Sequence, residues 1–194
     1  MRFVNNIDSG FDMEKSARCL KESIDGESTA VLMYGTYAEL AEKENFPNIA
    51  NLFRCLVFAE KIHVKNHMSA LRQPDYHATL HDYDVGSTFE NLKKAIGGEI
   101  DECKKMYPKF LKEIKSEMDT VYGKVAMLSM QWSLKVEEKH AKILQQAFDC
   151  LKKGKDFDQG NLYTCQVCGN IETGKPTQTC SICGHDASFF ELIK

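Results

Sequence analysis

The segment Phe58–His63, with the sequence FAEKIH, decides the fold because it puts a carboxylate and an imidazole on an apolar helix face. Glu60 and His63 are three residues apart, about one helical turn, so both side chains project from one side. The rest of that side is apolar and consists of Ile49, Leu52, Phe53, Leu56 and Val64. A buried carboxylate without a partner costs several kcal/mol. The segment therefore favours a metal-binding helix inside a bundle.

Three further helical segments repeat this conflict between apolar faces and charged groups. Glu137 and His140 form a second Glu-x-x-His pair, Glu99 and Glu102 form a Glu-x-x-Glu pair, and Glu27 stands alone upstream. Since 27% of the residues are charged, one such pair is weak evidence for a metal, because most helical glutamates are exposed. Recurrence on several apolar faces is much harder to obtain by chance.

Together these residues predict two metal ions in the core of the bundle. The predicted ligands are Glu27, Glu60, His63, Glu99, Glu102, Glu137 and His140. Five carboxylates and two imidazoles suit Fe(II) or Mn(II), with Zn(II) as an alternative. Tyr34 and Tyr107 lie close enough along their helices to donate hydrogen bonds to ligand carboxylates.

The helix pattern predicts a mainly α, ferritin-like four-helix bundle with a long crossover between helices 2 and 3. Helices are expected over about residues 12–43, 45–73, from Ser87 onward, and 119–153. Short joins make helices 1 and 2, and helices 3 and 4, antiparallel neighbours, whereas residues 73–86 are long enough to cross the bundle. Pro108 should bend the third helix, which would give Glu102 room to move.

A second metal-binding motif lies near the C-terminal end of the sequence. The pairs Cys165-x-x-Cys168 and Cys180-x-x-Cys183 are each followed by a glycine, and they predict a tetrahedral four-thiolate site. Iron is favoured over zinc, although zinc ribbons share the motif. The tail is too small to fold without such a metal. The predicted organisation is a bundle over residues 1–154, a linker over 155–160 and a metal-stapled domain over 161–194.

Composition and charge exclude several classes of protein. A net charge of −3 gives no sign of a nucleic-acid partner, and no apolar run is long enough for a membrane span. The first ten residues lack the apolar core of a signal peptide, so a cytoplasmic protein is expected. In a reducing compartment the paired cysteines indicate metal binding rather than disulfides. The scattered cysteines, Cys19, Cys55, Cys103 and Cys150, are interpreted as small buried residues.

The chain resembles the rubrerythrin family over nearly its whole length. The resemblance is carried by GEST around Glu27, FAEKIH, GGEIDECKKMYPKF (97–110) and VEEKH (136–140), then by YTCQVCG, CSICGH and ASFFEL in the tail. It implies a ferritin-like bundle followed by a rubredoxin-like domain. It also implies a non-haem di-iron peroxidase that reduces hydrogen peroxide to water.

The resemblance assigns roles to individual residues. Glu27, Glu60, Glu99, Glu102, Glu137 and His140 match iron ligands, and Tyr34 and Tyr107 match tyrosines near the site. His63 matches a histidine that binds one iron in the reduced state and is exchanged for the Glu102 carboxylate on oxidation. Cys165, Cys168, Cys180 and Cys183 match the ligands of the rubredoxin-like iron. The spacer between the cysteine pairs is about one residue shorter than is typical, and Asn170 replaces a common aromatic residue.

The implied partners are hydrogen peroxide and an electron donor, either rubredoxin or an NADH-dependent rubredoxin reductase. His140 lies roughly 20 Å of helix before the tail. Unless the linker folds back, the tail's iron would be far from its own bundle, and a head-to-tail homodimer would bring the two centres together. Two alternatives remain open: a ferroxidase or iron-storage protein, and a zinc-ribbon interaction module on a structural bundle.

Overall fold

The computed structural model describes residues 14–194 and confirms the ferritin-like arrangement of four long helices. The helices are α1 (Glu14–Lys43), α2 (Pro47–Leu71), α3 (Thr88–Asp101) continued by α4 (Tyr107–Ile114), and α5 (Val121–Leu151). The expected start of the first helix near Asp12 lies outside the described residues. None of the helices in the described range is long and apolar enough to cross a membrane.

The connections follow the predicted topology. Three residues join α1 to α2, and Asn45 among them takes a left-handed conformation, φ 64°. The long crossover lies against α1, where Asp25 Oδ1 accepts hydrogen bonds from the Tyr76 hydroxyl (2.6 Å) and the Thr79 amide (2.9 Å). A capping box of Ser87 and Glu90 begins α3, at the predicted start of the third helix. These contacts fix the crossover beside the bundle.

The third helix contains one π-helical turn, Glu102–Met106, between α3 and α4. The Tyr107 amide bonds to the Glu102 carbonyl, five residues back, and Pro108 then lies in the first turn of α4. Proline has no N–H to continue the α-helical ladder, so a local change of register here is physically reasonable. The predicted bend is thus a π turn that begins at Glu102 itself.

The bundle has two apolar clusters. One contains Phe53, Leu56 and Leu92 and the other contains Leu20, Phe110 and Met130, all at most 2% exposed. The predicted bundle ligands are in neither cluster, and yet all of them except the partly buried Glu102 are at most 1% exposed. Carboxylates and imidazoles are thus buried inside an apolar bundle, as the sequence predicted from charged residues on apolar helix faces.

The tail forms a three-stranded antiparallel sheet in the order β2-β1-β3, with β1 (Leu162–Cys165), β2 (Ile171–Thr173) and β3 (Phe190–Ile193). Each cysteine pair closes a tight turn in which the following glycine has positive φ, 85° at Gly169 and 75° at Gly184. The glycine amide donates to the carbonyl of the first cysteine at 2.9 Å in both turns.

The linker turns the tail back along α2. Asp156 accepts hydrogen bonds from the Asn48 amide (2.8 Å) and the Ile49 amide (3.1 Å) in the first turn of α2. That turn has no side-chain cap of its own, since its N-cap residue is Phe46. Phe157, only 2% exposed, then joins the bundle core. The linker therefore does fold back, because Asp156 caps α2, and the tail lies against its own bundle.

Candidate metal centres

The bundle site is built from side chains of four helices. Those involved are at most 1% exposed and consist of Glu27, Glu60, His63, Glu99, Glu137 and His140. Their ligand atoms form two groups, each within 4.8 Å: Glu27, Glu60, His63 and Glu137 in one, and Glu60, Glu99, Glu137 and His140 in the other. Glu60 and Glu137 belong to both groups. This is the arrangement in which two carboxylates can bridge two metal ions.

Both histidines present Nδ1 to the carboxylates. His63 Nδ1 lies 2.7 Å from Glu60 Oε2 and 2.9 Å from Glu137 Oε1. His140 Nδ1 lies 2.8 Å from Glu137 Oε2 and 3.5 Å from Glu99 Oε2. Each Nε2 faces a backbone carbonyl, to which it can donate a hydrogen bond only when it carries the ring proton. Nδ1 of the neutral ring is then unprotonated and can bind a metal ion.

Several ligand atoms of the site lack hydrogen-bond partners. Among the described residues, Glu27 Oε2, Glu60 Oε1, Glu99 Oε2 and His140 Nδ1 are buried without a hydrogen bond of acceptable geometry. Unpaired buried oxygens of this kind are costly in a metal-free site. Two divalent cations would satisfy them, so the donor set fits a carboxylate-bridged metal pair.

Without metal, the site retains protons. Burial, and then the neighbouring carboxylates, raise the pKa of Glu27, Glu99 and Glu102 well above the usual range. Burial has the same effect at Glu60 and Glu137, but the nearby imidazoles outweigh it, so the pKa of each lies below normal. Metal ions must displace the protons held by the first three groups.

Chelation of the bundle metals should therefore destabilise the protein more at high pH. A raised folded-state pKa gives stability that is fully present below the unfolded pKa and is lost as pH rises through the folded pKa. The metal-free protein then loses stability as the pH rises through the raised pKa values of Glu27, Glu99 and Glu102, whereas the loaded protein needs the deprotonated forms. Calorimetric Tm values of loaded and stripped protein should diverge with rising pH. A difference that narrows with rising pH would contradict this account.

Two tyrosines hold the outer carboxylates. The Tyr34 hydroxyl donates to Glu99 Oε1 at 2.5 Å, and the Tyr107 hydroxyl donates to Glu27 Oε1. Both rings are at most 2% exposed. The two predicted tyrosines therefore contact one outer glutamate of each group, which limits how these carboxylates can rotate.

His67 also belongs to this hydrogen-bond network. It is fully buried, with Nε2 3.1 Å from the Tyr107 oxygen and Nδ1 2.8 Å from Ser129 Oγ. Because Tyr107 gives its hydrogen to Glu27, His67 donates through Nε2 and accepts at Nδ1. Burial lowers the pKa of His67 to about 3, so the ring is neutral. Its spacing of four residues from His63 was the available signal.

Glu102 is the one predicted bundle ligand outside both groups. It lies at the first position of the π turn, is partly buried, and lines a cleft between α1 and the third helix. His63 occupies the adjoining ligand position. The structure thus has the imidazole in the site and this carboxylate at its edge.

The four tail cysteines converge as predicted. Cys165 Sγ lies 3.8 Å from Cys183 Sγ, and Cys168 Sγ lies 3.6 Å from Cys180 Sγ, too far for disulfides. A tetrahedral metal with M–S bonds of about 2.3 Å requires sulfurs roughly 3.8 Å apart. The spacing therefore fits one tetrahedral ion. The buried Asn170 amide lies 3.7 Å from Cys180 Sγ and donates a hydrogen bond towards it.

The two centres are joined by direct hydrogen bonds. His63 Nε2 donates to the Cys168 carbonyl at 3.1 Å, and His140 Nε2 donates to the Gly169 carbonyl at 3.2 Å. Asn66 Nδ2 donates to the neighbouring Val167 carbonyl at 2.8 Å. One turn of the cysteine site thereby lies directly against both histidines of the bundle site. The sequence did not indicate this contact.

Comparison with known proteins agrees with the fold and with both sites. The rubrerythrin family model matches residues 18–148. Rubrerythrin-2 of Clostridium acetobutylicum is 37% identical over 181 residues, covering 92% of this chain and 96% of the relative. A solved structure of nigerythrin in a mixed-valence state has a TM-score of 0.82 at 26% identity, covering 96% of this chain and 90% of that one.

The relative and the nigerythrin structure match the bundle and the tail together, and rubrerythrins combine a carboxylate- and histidine-ligated di-iron site with a four-cysteine site for a single iron. The chain therefore belongs to the rubrerythrin family of di-iron oxidoreductases, which act in oxidative-stress defence.

Proposed function

We propose that the protein is a peroxidase that reduces hydrogen peroxide to water, with electrons passing through the tail's iron. The reaction consumes two electrons and two protons, breaks the O–O bond and yields two water molecules. The observation that carries the proposal is the pair of hydrogen bonds from His63 and His140 to the Cys168 and Gly169 carbonyls. A storage site has no need for a one-electron centre in this position.

In the bundle, two ferrous ions held by the converging carboxylates and histidines would supply one electron each. Glu60 and Glu137 would bridge them, and Tyr34 and Tyr107 restrain the outer carboxylates by hydrogen bonds. The remaining task for the protein is to deliver substrate and protons.

Glu102 suits that task because its carboxyl group lines the cleft and has a pKa raised by burial and by Glu137. A group that holds a proton at the edge of the site can donate it to a leaving oxygen. The same carboxylate would also replace His63 as a ligand after oxidation, as the family resemblance implies. Glu102 begins the π turn, and such turns are frequent at functional sites, which supports a role for this side chain.

In the tail, Cys165, Cys168, Cys180 and Cys183 would hold the iron that re-reduces the bundle. Cys183 is the most exposed of the four and faces the solvent side, whereas Cys168 is fully buried at the bundle side. An external donor, rubredoxin or an NADH-dependent rubredoxin reductase, would meet the exposed side. Electrons would leave on the Cys168 side, through the carbonyl contacts with the histidines.

The contact between the centres depends on Gly169. A Cβ atom at this position would lie 2.9 Å from His63 Nε2 and 3.2 Å from the Ala59 carbonyl. Gly169→Ala should therefore push the cysteine turn away from both histidines and slow electron transfer between the centres by about tenfold or more. Stopped-flow spectroscopy would follow re-oxidation of the reduced tail iron after peroxide is added.

Gly184→Ala is the matched control for this prediction. Gly184 ends the other cysteine turn with a similar positive φ, but a Cβ atom there would meet nothing within 4 Å. Both variants strain their turns, yet only Gly169→Ala disturbs the contact. Equal slowing in the two variants would show that turn strain, and not the contact with the histidines, controls the rate.

A homodimer remains a prediction, although it is no longer needed to explain how the tail's iron comes close to a bundle site. The tail contacts the bundle of its own chain, so no partner is needed to bring the centres together. Sedimentation analysis of the active protein would decide the oligomeric state.

The activity itself is tested by steady-state turnover with an NADH-linked donor system, with hydrogen peroxide and dioxygen supplied separately. The proposal expects NADH oxidation to be faster with peroxide than with dioxygen. Negligible peroxide turnover together with accumulation of ferric mineral would favour a ferroxidase instead. If the tail binds only zinc and shows no thiolate-to-iron absorption band, it cannot pass electrons to the bundle, and the proposed electron route is wrong.

A further inference from the structure

The cleft that reaches Glu102 is far larger than hydrogen peroxide requires. It measures about 700 Å³ and lies between α1 and the third helix. Hydrogen peroxide is only slightly larger than a water molecule, whose share of liquid volume is about 30 Å³. A cleft of this size falls within the range that holds organic ligands of moderate size.

Most of the surface exposed in the cleft is carbon, although seven of its eleven lining residues are Glu, Asp, Lys or His. Met106 and Phe110 contribute apolar surface beside Glu102, and the charged groups of Lys105 and Asp101 pair with each other at 2.7 Å on the exposed surface. A route used only by hydrogen peroxide would gain nothing from such a surface, because that molecule is fully polar. Carbon-lined space next to a carboxylate suits a substrate with one polar end and one apolar end.

Two glycines keep the cleft wide. Gly26 on α1 and Gly98 on α3 both line it, and an added Cβ atom at either position would meet nothing within 4 Å. Glycine inside a helix costs up to about 1 kcal/mol relative to alanine. A larger side chain at either position would project into open space and narrow the cleft without a clash.

We infer that this cleft admits organic hydroperoxides, and that Gly98 and Gly26 set the size of the substituent accepted. The inference rests on the proposed peroxide reduction and extends its substrate class. The hydroperoxide takes up two electrons and two protons, its O–O bond breaks, and the products are an alcohol and water. The electrons come from the reduced metal pair and are replaced by the external donor.

The test compares cumene hydroperoxide with hydrogen peroxide on the full-length iron-loaded protein. We expect wild-type kcat/KM for cumene hydroperoxide to lie within about tenfold of that for hydrogen peroxide. Gly98→Leu should lower the cumene value by at least about tenfold, since pocket-filling groups discriminate substrates on this scale. Its turnover of hydrogen peroxide should change by less than about twofold. Gly26→Leu provides a second variant from the opposite helix.

Gly97→Leu is the matched control, because Gly97 is adjacent on the same helix, equally exposed and equally free of steric contact, but does not line the cleft. It should change neither activity. Calorimetric binding of cumyl alcohol, the product, to the oxidised protein provides a readout independent of turnover, and Gly98→Leu should weaken it.

The outcomes separate this inference from the proposed function. Turnover of hydrogen peroxide without turnover of cumene hydroperoxide would overturn the substrate class and leave the peroxidase proposal intact. Equal loss of both activities in Gly98→Leu would also overturn it, because the cleft would then not select by size. Loss of neither activity would show that the substrate uses another route. No turnover of either peroxide by the wild-type protein would contradict the proposed function itself.

Discussion

Glu137→Ala is expected to abolish binding of both metal ions in the bundle and to lower peroxide turnover by at least about 100-fold. Glu137 is fully buried, and its carboxylate belongs to both ligand groups. Its Oε1 lies 2.9 Å from His63 Nδ1, and its Oε2 lies 2.8 Å from His140 Nδ1. Its removal therefore takes a ligand from each metal at once. Iron analysis should find only the tail's ion.

Two further variants show whether bridging is the reason. Glu27 belongs to one group only, so Glu27→Ala should lose one ion of the bundle preferentially and retain more iron than Glu137→Ala. Glu138→Ala removes an exposed carboxylate at the next position and should leave iron content unchanged. If Glu137→Ala retains two bundle ions, Glu137 is not the shared ligand.

Glu102→Ala should lower peroxide turnover by about 10- to 100-fold while two bundle ions and the fold are retained. Glu102 lies outside both ligand groups, so metal binding with His63 in place does not depend on it. Its carboxyl group is the one that faces the cleft with a raised pKa, so proton delivery and ligand exchange should both fail without it. Turnover, iron content and Tm would be measured on the same preparation.

Asp101→Ala is the matched control, because Asp101 is the adjacent residue, lines the same cleft and also carries a carboxyl group, but is exposed. A general electrostatic effect of the cleft would appear in both variants. Glu102→Gln keeps the shape of the side chain while removing its ability to ionise. Survival of full turnover in Glu102→Ala would mean that neither proton delivery nor ligand exchange uses this carboxylate.

The bundle could be predicted from the sequence because its evidence is local. Helical spacing places Glu60 and His63 on one face, and the apolar residues around them show that the face is buried. The cysteine turns could be predicted for the same reason, since each ligand pair and its glycine lie within a few residues. Convergence of the ligands then follows from the bundle topology.

The π turn and the return of the tail could not be predicted, because they depend on contacts that spacing does not encode. Pro108 signalled a distortion, but the register of the change depends on the Tyr107 amide bonding to Glu102. Asp156 looked like part of a polar linker, whereas it caps α2 from more than 100 positions away along the chain. The amides in the first turn of α2 need hydrogen-bond acceptors, but local sequence patterns do not show which distant residue supplies them.

The most direct test of the account is a single-turnover reaction of the fully reduced, iron-loaded protein under anaerobic conditions. We predict that one hydrogen peroxide molecule oxidises both irons of one bundle site, followed by electron transfer from the tail's iron, which develops its thiolate absorption band. Dioxygen supplied in place of peroxide should react more slowly, and no iron should leave the site. Faster oxidation by dioxygen, with added Fe(II) accumulating as ferric mineral, would contradict the assignment as a peroxidase.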